Sequence, residues 1–430
     1  MRSLALILAS LVALSGCYRK TDPPGEAPTG VAATTGDGLV VITWDVLPDL
    51  DYWIFYQPGS SVDVATPNSI AIRRAINPRV VAGLANGTQY AFVMNATHAD
   101  SAAGPTSFPA VATPRLAGAT WVPGTPLGTA PANPNLNDLL LNGSTFVTVG
   151  DATTIFSGGF NYTAGEFNFV VGDPQGVTQW SPPTTLPAGY SADLKSVTLA
   201  AGAYVALGAD GSVISSTDAV NWGSNGRVTI ASVPVTDLSA IGFAFVSGVN
   251  ALYVVVGTGG RIYNSPDLVS WTQVGVGVTT SDLTRLTLLN GSFLITGAGG
   301  TLLTSTDGST WSPLTTNTAN TLRAVTFCGL CASVHYVAVG DAGTIITSPD
   351  GVAWTPVAPA PVADNLRSIT VGGSAGTRFL AVGENGAVAY SDDGVTWSAA
   401  SSGTSTLSKV LYTGGLYLGV GDAGVNAVSR

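Results

Sequence analysis

Ser305-Thr306-Asp307-Gly308-Ser309-Thr310-Trp311, Ser348-Pro349-Asp350-Gly351-Val352-Ala353-Trp354 and Ser391-Asp392-Asp393-Gly394-Val395-Thr396-Trp397 are three copies of one phrase. Two looser copies precede them, Ser216-Thr217-Asp218-Ala219-Val220-Asn221-Trp222 and Ser265-Pro266-Asp267-Leu268-Val269-Ser270-Trp271. From Trp180 onward, successive tryptophans are 42, 49, 40, 43 and 43 residues apart. The wording around each box is also constant. In the last full copy a strand pattern at Leu366–Val371 is followed by a second at Phe379–Gly383. The Gly-rich turn Glu384-Asn385-Gly386 leads to a third pattern, Ala387–Ser391, and the box then leads to a fourth strand around Trp397. Four short strands repeated every ~40–45 residues are the period of a β-propeller blade.

Full units end at Trp180, Trp222, Trp271, Trp311, Trp354 and Trp397. The last unit, Leu407 to Arg430, has three strand patterns and lacks its Trp strand. A spare one lies upstream, Ala119-Thr120-Trp121-Val122-Pro123. Residues 118–125 are therefore expected to supply the outer strand of the final blade. That makes an all-β, seven-bladed ring over residues 116–430, closed where the two ends of the segment pair, and closure removes exposed sheet edges.

The chain upstream of the ring has its own organisation. Met1-Arg2-Ser3, an apolar run from Leu4 to Leu14, and Ser15-Gly16-Cys17 read as a secretory signal over residues 1–16. The run is shorter than the ~20 residues a membrane-spanning helix needs. Leu14-Ser15-Gly16-Cys17 resembles the lipobox of bacterial lipoproteins. That resemblance implies a diacylglycerol-modified, acylated Cys17 and a lipidated tether over residues 17–27. Tyr18 after the cysteine implies, by the same resemblance, the outer rather than the inner membrane. Strand patterns follow at Pro28–Ala33, Leu39–Trp44 and Tyr52–Tyr56, and then comes the stretch Leu84–Ala96. Residues 28–115 resemble a fibronectin type III domain in the early Trp44, the Leu84…Tyr90 spacing and the closing Ala112-Thr113-Pro114. The resemblance makes Tyr90 a tyrosine corner and Trp44 a filler between two sheets.

The 430 residues carry 16 Lys plus Arg against 26 Asp plus Glu, a net charge of −10, which argues against a nucleic-acid partner. Against that scarcity, the recurrence of a base near the start of the innermost strands stands out. Lys195, Arg323 and Arg367 fall in register, and Arg285 and Lys409 fall one place later. The turns between second and third strands, on the same face of a propeller, hold Asp151, Asp210, Asp341, Glu384 and Asp422. Two readings stay open: bases and acids pair around the rim, or the bases form a cationic mouth for a carboxylate or acidic segment.

The box aspartates Asp218, Asp267, Asp307, Asp350 and Asp393 are read as turn residues accepting backbone N–H groups. Trp222, Trp271, Trp311, Trp354 and Trp397 are read as core against a neighbouring blade. Cys328 and Cys331 lie in one hairpin, and in an exported chain they are expected to form a local disulfide. A four-ligand zinc site would need two more ligands, and of the two histidines His335 is near while His98 lies in the other domain, so no metal and no cofactor are expected.

The boxes resemble the Asp-box (BNR) repeats of sialidases, and their short form is most similar to propellers of the photosystem II assembly factor type. Sialidases use three arginines, a Tyr–Glu pair and an acidic Asp. The Arg-Ile-Pro start of that family is missing here, and only Glu166 and Glu384 fall in the propeller. The favoured expectation is thus a non-catalytic, lipid-anchored envelope protein that binds a protein or glycan. The alternatives are a sialidase-like hydrolase or lectin, and a structural component of an envelope assembly. Free carboxyls across a cleft from unpaired Arg323 and Arg367 would favour catalysis. Pairing of those arginines with Asp341 and Glu384 would favour binding or structure.

Overall fold

The structure is a computed structural model and describes residues 22–429, apart from 66–68, 99–101, 129–132, 160, 164–165, 169–179, 247–249, 374 and 414. The proposed anchor Cys17 lies outside the described residues. The chain falls into two compact units. One takes in Ile42–Asn77 and Gln89–Ala112; the other takes in Thr113–Arg430 with Thr34–Val41 and Pro78–Thr88.

The first unit carries a four-stranded antiparallel sheet in the order Ile70–Ala75, Asp51–Pro58, Tyr90–Thr97, Ala110–Ala112. Tyr52, Ile54 and Tyr56 alternate inward along one strand, as period-2 patterning requires. Trp44 is buried with its ring 5.5 Å from that of Tyr52. A separate three-stranded sheet runs through Ala32–Gly36, Leu39–Thr43 and Arg79–Ala82.

Among the described residues, the part from Thr113 onward forms seven successive antiparallel sheets of three or four strands. Their first strands are Leu136–Asn142, Leu194–Ala200, Leu238–Val246, Leu283–Leu289, Leu322–Phe327, Leu366–Gly372 and Leu407–Thr413. Each lies beside the next, and the seventh lies beside the first, so these strands are the innermost wall of a ring. The cores sit between adjacent sheets. Trp354, for instance, packs with Leu294 and Leu302 of the sheet before its own. The first sheet departs from the expected four strands. It has three among the described residues, and Ser181, next to Trp180, makes only an isolated bridge to Ser157. Trp180 still packs against Phe146, with the rings 6.2 Å apart.

Each box is one hydrogen-bonded turn. The Asp307 carboxylate accepts from the Ser309 and Thr310 N–H groups at 2.8 and 2.7 Å and from the Ser305 hydroxyl at 3.0 Å. The same triplet recurs at Asp218, Asp267, Asp350 and Asp393. The serine hydroxyl also accepts the N–H of the following Gly308, Gly351 or Gly394 at 2.8–2.9 Å. The indole N–H of Trp222, Trp271, Trp354 or Trp397 donates to the carbonyl three residues back. Trp311 is the exception: the Gly308 carbonyl takes the Asn264 amide instead, and the indole N–H has no partner among the described residues.

The seventh box is split between distant parts of the chain. Val122–Pro123 pairs with the last strand, Asn426–Ser429, through Val428↔Val122 and Ala427↔Pro123. Ser429 stands where the box serine stands, and its hydroxyl accepts the Gly118 N–H at 2.8 Å. Gly118-Ala119-Thr120-Trp121 then completes the phrase, with the Trp121 indole donating to the Gly118 carbonyl at 3.0 Å. Ala117 takes the place of the aspartate, so the carboxylate triplet is absent. Its carbonyl is held instead by Nη1 of the buried Arg378 at 2.7 Å.

Two predictions follow from these turns. Ser429→Ala leaves the buried Gly118 N–H unpaired and is expected to cost about 1–3 kcal/mol, read by chemical denaturation; a loss as small as that of Ser401→Ala, on an exposed outer strand, would contradict the split box. The N–H groups bonded to Asp307, Asp267 and Asp393 hold these carboxyls down at about 2. A depressed carboxyl contributes stability that is complete above its unfolded value near 4 and is lost as pH falls toward its folded value. The melting temperature is therefore expected to hold steady from pH 7 to 5 and to fall between pH 4 and 2. Combined Asp307→Asn and Asp393→Asn substitution should flatten that fall.

Candidate functional site

Every innermost strand begins with a buried leucine, and every one skips its second residue in pairing with the next strand. The register jumps from Leu194 to Ser196, Leu238 to Ala240, Leu283 to Arg285, Leu322 to Ala324, Leu366 to Ser368 and Leu407 to Lys409. In the first sheet Leu136 and Asp138 pair with neighbours and Asn137 is passed over. A bulge of this kind re-aims the side chain it leaves unpaired. The seven skipped residues, Asn137, Lys195, Ser239, Thr284, Arg323, Arg367 and Ser408, all line one cavity of 490 Å³ at the mouth of the ring.

The three in-register bases meet the turn acids. Lys195 Nζ lies 3.0 Å from Asp151 and 3.5 Å from Asp193. Arg323 engages Asp341 bidentately through Nε and Nη2, the latter at 3.0 Å. Arg367 Nη2 lies 2.9 Å from Glu384, and its Nη1 lies 3.5 Å from Asp422. Asp210 pairs elsewhere, with Arg227 at 2.6 Å. The bases line the cavity while Asp151, Asp341 and Glu384 sit behind them, and the lining has one carboxylate, Asp237. Nη1 of Arg323 has no partner among the described residues. Pairs exposed by about a third stabilise little, about 0–1 kcal/mol each, so their main effect is to hold the bases in place.

Arg285 and Lys409 do not belong to the rim. At the third position of their strands they point inward and share Asp138, at 3.0 and 3.3 Å from Oδ1. The first and fourth strands are not neighbours in the ring, so the Asp138–Arg285 pair crosses its bore. Oδ2 also accepts from Ser196 Oγ and Val197 N, each at 3.1 Å. Burial alone would raise the Asp138 carboxyl. The charges of Lys409 and Arg285 and the N–H groups of Val197 and Leu139 outweigh burial and hold it below its ordinary value. Burial in turn pulls Lys409 below the usual lysine value despite the attraction of Asp138. The cross-bore group floors the mouth.

Asp138 is a site residue that a search for recurring bases passes over. Its signal is a lone acid at the position where two other strands carry Arg285 and Lys409. A second missed feature is the residue before the leucine. Its side chain caps the turn of the preceding sheet, as in Asp193 to Ala152 N at 2.9 Å, Asp282 to Gly259 N at 2.8 Å and Asn365 to Ala342 N at 2.9 Å. Asn135 does the same for Ala423 N at 3.1 Å across the ring closure. The rim is uneven, because the third and fourth sheets replace the acidic turn with Thr258-Gly259-Gly260 and Ala298-Gly299-Gly300. Cys328 and Cys331 are disulfide-bonded, with Cα atoms 5.5 Å apart, in a hairpin whose tip exposes Leu330.

No family model matches the chain, and no curated protein matches it. Solved structures do. YCF48 bound to a D1 peptide aligns at a TM-score of 0.52 and 16% identity, over 72% of this chain and 94% of that one. YCF48 from Cyanidioschyzon merolae aligns at 0.51 and 15%, over 72% and 98%. An inactive virginiamycin B lyase from Staphylococcus aureus, solved with quinupristin, aligns at 0.55 and 10%, over 72% and 99%. At these identities the likeness is one of fold, and it establishes that the chain carries a β-propeller.

Proposed function

We propose that this protein is a non-catalytic binding protein of a bacterial envelope. In this reading it is lipid-anchored at Cys17, carries a fibronectin type III-like domain over residues 28–115, and offers the mouth of a seven-bladed propeller to a protein partner. The observation that supports it best is the arrangement of charge at the mouth. Lys195, Arg285, Arg323 and Arg367 line the cavity, and the acids that fix three of them stand outside it. A preset guanidinium with one free edge suits a carboxylate. A hydrolase of the sialidase type needs a pair of carboxyls facing the substrate, and the lining offers Asp237 alone. The similar propeller YCF48 has been solved with a D1 peptide bound, which makes a protein segment a sensible class of partner to test.

Two experiments address the reading. Metabolic labelling with palmitate is expected to mark the wild-type chain and not Cys17→Ala; a label retained by the variant would remove the anchor. Capture of partners from envelope extract is expected to weaken several-fold in Arg323→Ala/Arg367→Ala at unchanged melting temperature, and to weaken with rising salt as exposed charges are screened. Undiminished capture by the double variant would take the partner site away from the mouth.

A further inference from the structure

We infer that the bound segment leaves the mouth over the fourth sheet and lies in a second, uncharged groove on the same face. The inference rests on the reading of the mouth as a carboxylate site and adds a direction, a second subsite and a ligand chemistry to it.

The groove has a volume of 610 Å³. Its walls are the connections on either side of the fourth sheet, Val278–Thr279 and Pro313–Ala319, and its inner end is the turn residues Gly299 and Gly300. The mouth and the groove both draw lining residues from the fourth sheet, Thr284 in the one and Gly299 to Leu303 in the other. Thr284 is hydrogen-bonded to Thr296 at 3.0 Å, and the chain runs from Thr296 through Gly297 and Ala298 into Gly299 at the groove. The turn between them is low and neutral for a physical reason. Gly299 and Gly300 both have left-handed φ, 63° and 71°, and a Cβ at Gly300 would come within 1.9 Å of the Thr318 carbonyl. On the fifth, sixth, seventh and first sheets the corresponding turn begins with Asp341, Glu384, Asp422 or Asp151. Over the third sheet the glycine turn is capped by Asp282, and Asp237 stands beside it in the mouth lining. An acidic ligand is repelled along all of those spokes and, among the described residues, meets no acidic turn or turn cap over the fourth.

The ligand chemistry follows from the two linings. The mouth asks for an acid. The groove lining contains no charged residue, and two of its five threonine hydroxyls donate internally, Thr316 to the Gly300 carbonyl at 2.7 Å and Thr301 to the Ala298 carbonyl at 2.7 Å. Neither lining contains an aromatic ring, and sugars are held largely by stacking on such rings, so a polypeptide is favoured over a glycan. Crossing from the innermost to the outer strand of one sheet takes three steps of about 4.8 Å, so about four or five extended residues bridge the two subsites. The occupant is thus an extended peptide segment with an acidic end and an uncharged stretch of small residues beside it.

The test uses the purified chain and four synthetic probes, each with blocked ends. Two are hexapeptides of Gly, Ser and Thr extended by an Asp-Asp pair at one end or the other. The third has Asn-Asn in place of the acids, and the fourth is Asp-Asp alone. At least one acidic octapeptide is expected to bind about tenfold or more tighter than Asp-Asp alone, with no binding by the Asn-Asn probe. Thr315→Trp/Ala319→Trp, both exposed positions in the groove wall, should bring the octapeptide down to the level of Asp-Asp and leave Asp-Asp binding unchanged. If Asp-Asp binds but the octapeptides bind no tighter, or the groove variant changes nothing, the track is wrong while the mouth stands. If no acidic probe binds, the mouth reading falls and the track with it. A neutral oligosaccharide competing at the groove would replace the peptide with a glycan.

Discussion

The hydroxyl of Ser429 closes the ring. Six of the seven sheets contain their own hairpins and can form locally, but the last one needs a strand that was made some three hundred residues earlier. The join keeps the serine and tryptophan hydrogen bonds of the turns it replaces and lacks their aspartate. A serine hydroxyl accepts a glycine N–H, a tryptophan indole donates to a carbonyl three residues back, and the ring of that tryptophan enters the gap between two sheets. Because the join is assembled from the ends of the ring, nothing in the other sheets replaces it. The order of the innermost strands around the axis, and so the position of every mouth residue, depends on it. The substitution of Arg378 for the missing carboxylate shows how the split is tolerated. A chain-crossing Nη1 holds the Ala117 carbonyl, and Asp392 balances the arginine's charge at 2.7 and 2.9 Å. Asp392 occupies the place that is Thr or Pro in the other boxes.

From that frame the mouth follows by geometry. A β-strand alternates its side chains, so without the bulge the second and third residues of each innermost strand would simply point to opposite faces of the sheet. Skipping the second residue in the register tips it toward the mouth and leaves the third facing the bore. The seven-fold repetition of one bulge therefore sorts the bases into two layers. Lys195, Arg323 and Arg367 fall in the upper layer and meet turn acids at the surface. Arg285 and Lys409 fall in the lower layer and meet Asp138 in the interior. The pairs differ in strength for the same reason, since the upper ones are a third exposed and screened, while the lower cluster is shielded and keeps its carboxylate ionised against the cost of burial.

Much of this was legible in the sequence because the same constraint is written many times. Ser-x-Asp-Gly-x-x-Trp is a turn, a hydrogen-bond set and a core residue in seven letters, and repetition separates it from chance. The borrowed strand was legible because one unit lacked a Trp strand and one Trp strand lacked a unit. The pairing of Arg323 with Asp341 and of Arg367 with Glu384 was one of two open readings, since each pair spans fewer than twenty residues within a repeated frame. What was hidden lies between units or occurs once. Asp138 reaches Arg285 across 147 positions, and no local pattern announces a partner at that distance. The split box hides its serine at the very end of the chain and its glycine beside a linker. The first unit also diverges, with a bridge at Ser181 where a full outer strand was expected.

The uneven rim shows why charge alone understates the site. Summed over the chain the protein is acidic, with a net charge of −10, which by itself argues against an anionic partner. At the mouth, however, the acids are placed behind the bases, and the field a ligand meets at a few ångströms is set by the nearest groups. Beyond about 10 Å that field is screened at ordinary salt. The cup presents guanidinium edges and one exposed carboxylate, Asp237, above a buried Asp138 already committed to two cations. An acid at the rim of the fifth or sixth sheet sees Asp341 or Glu384. Of the two adjacent sheets with glycine turns, the third keeps a carboxylate through the Asp282 cap, so the low-charge sector narrows to the fourth. Seven sheets that repeat one bulge at their innermost strands thus differ in the charge of their turns, and among the described residues the fourth is the one whose turn has neither an acidic residue nor an acidic cap.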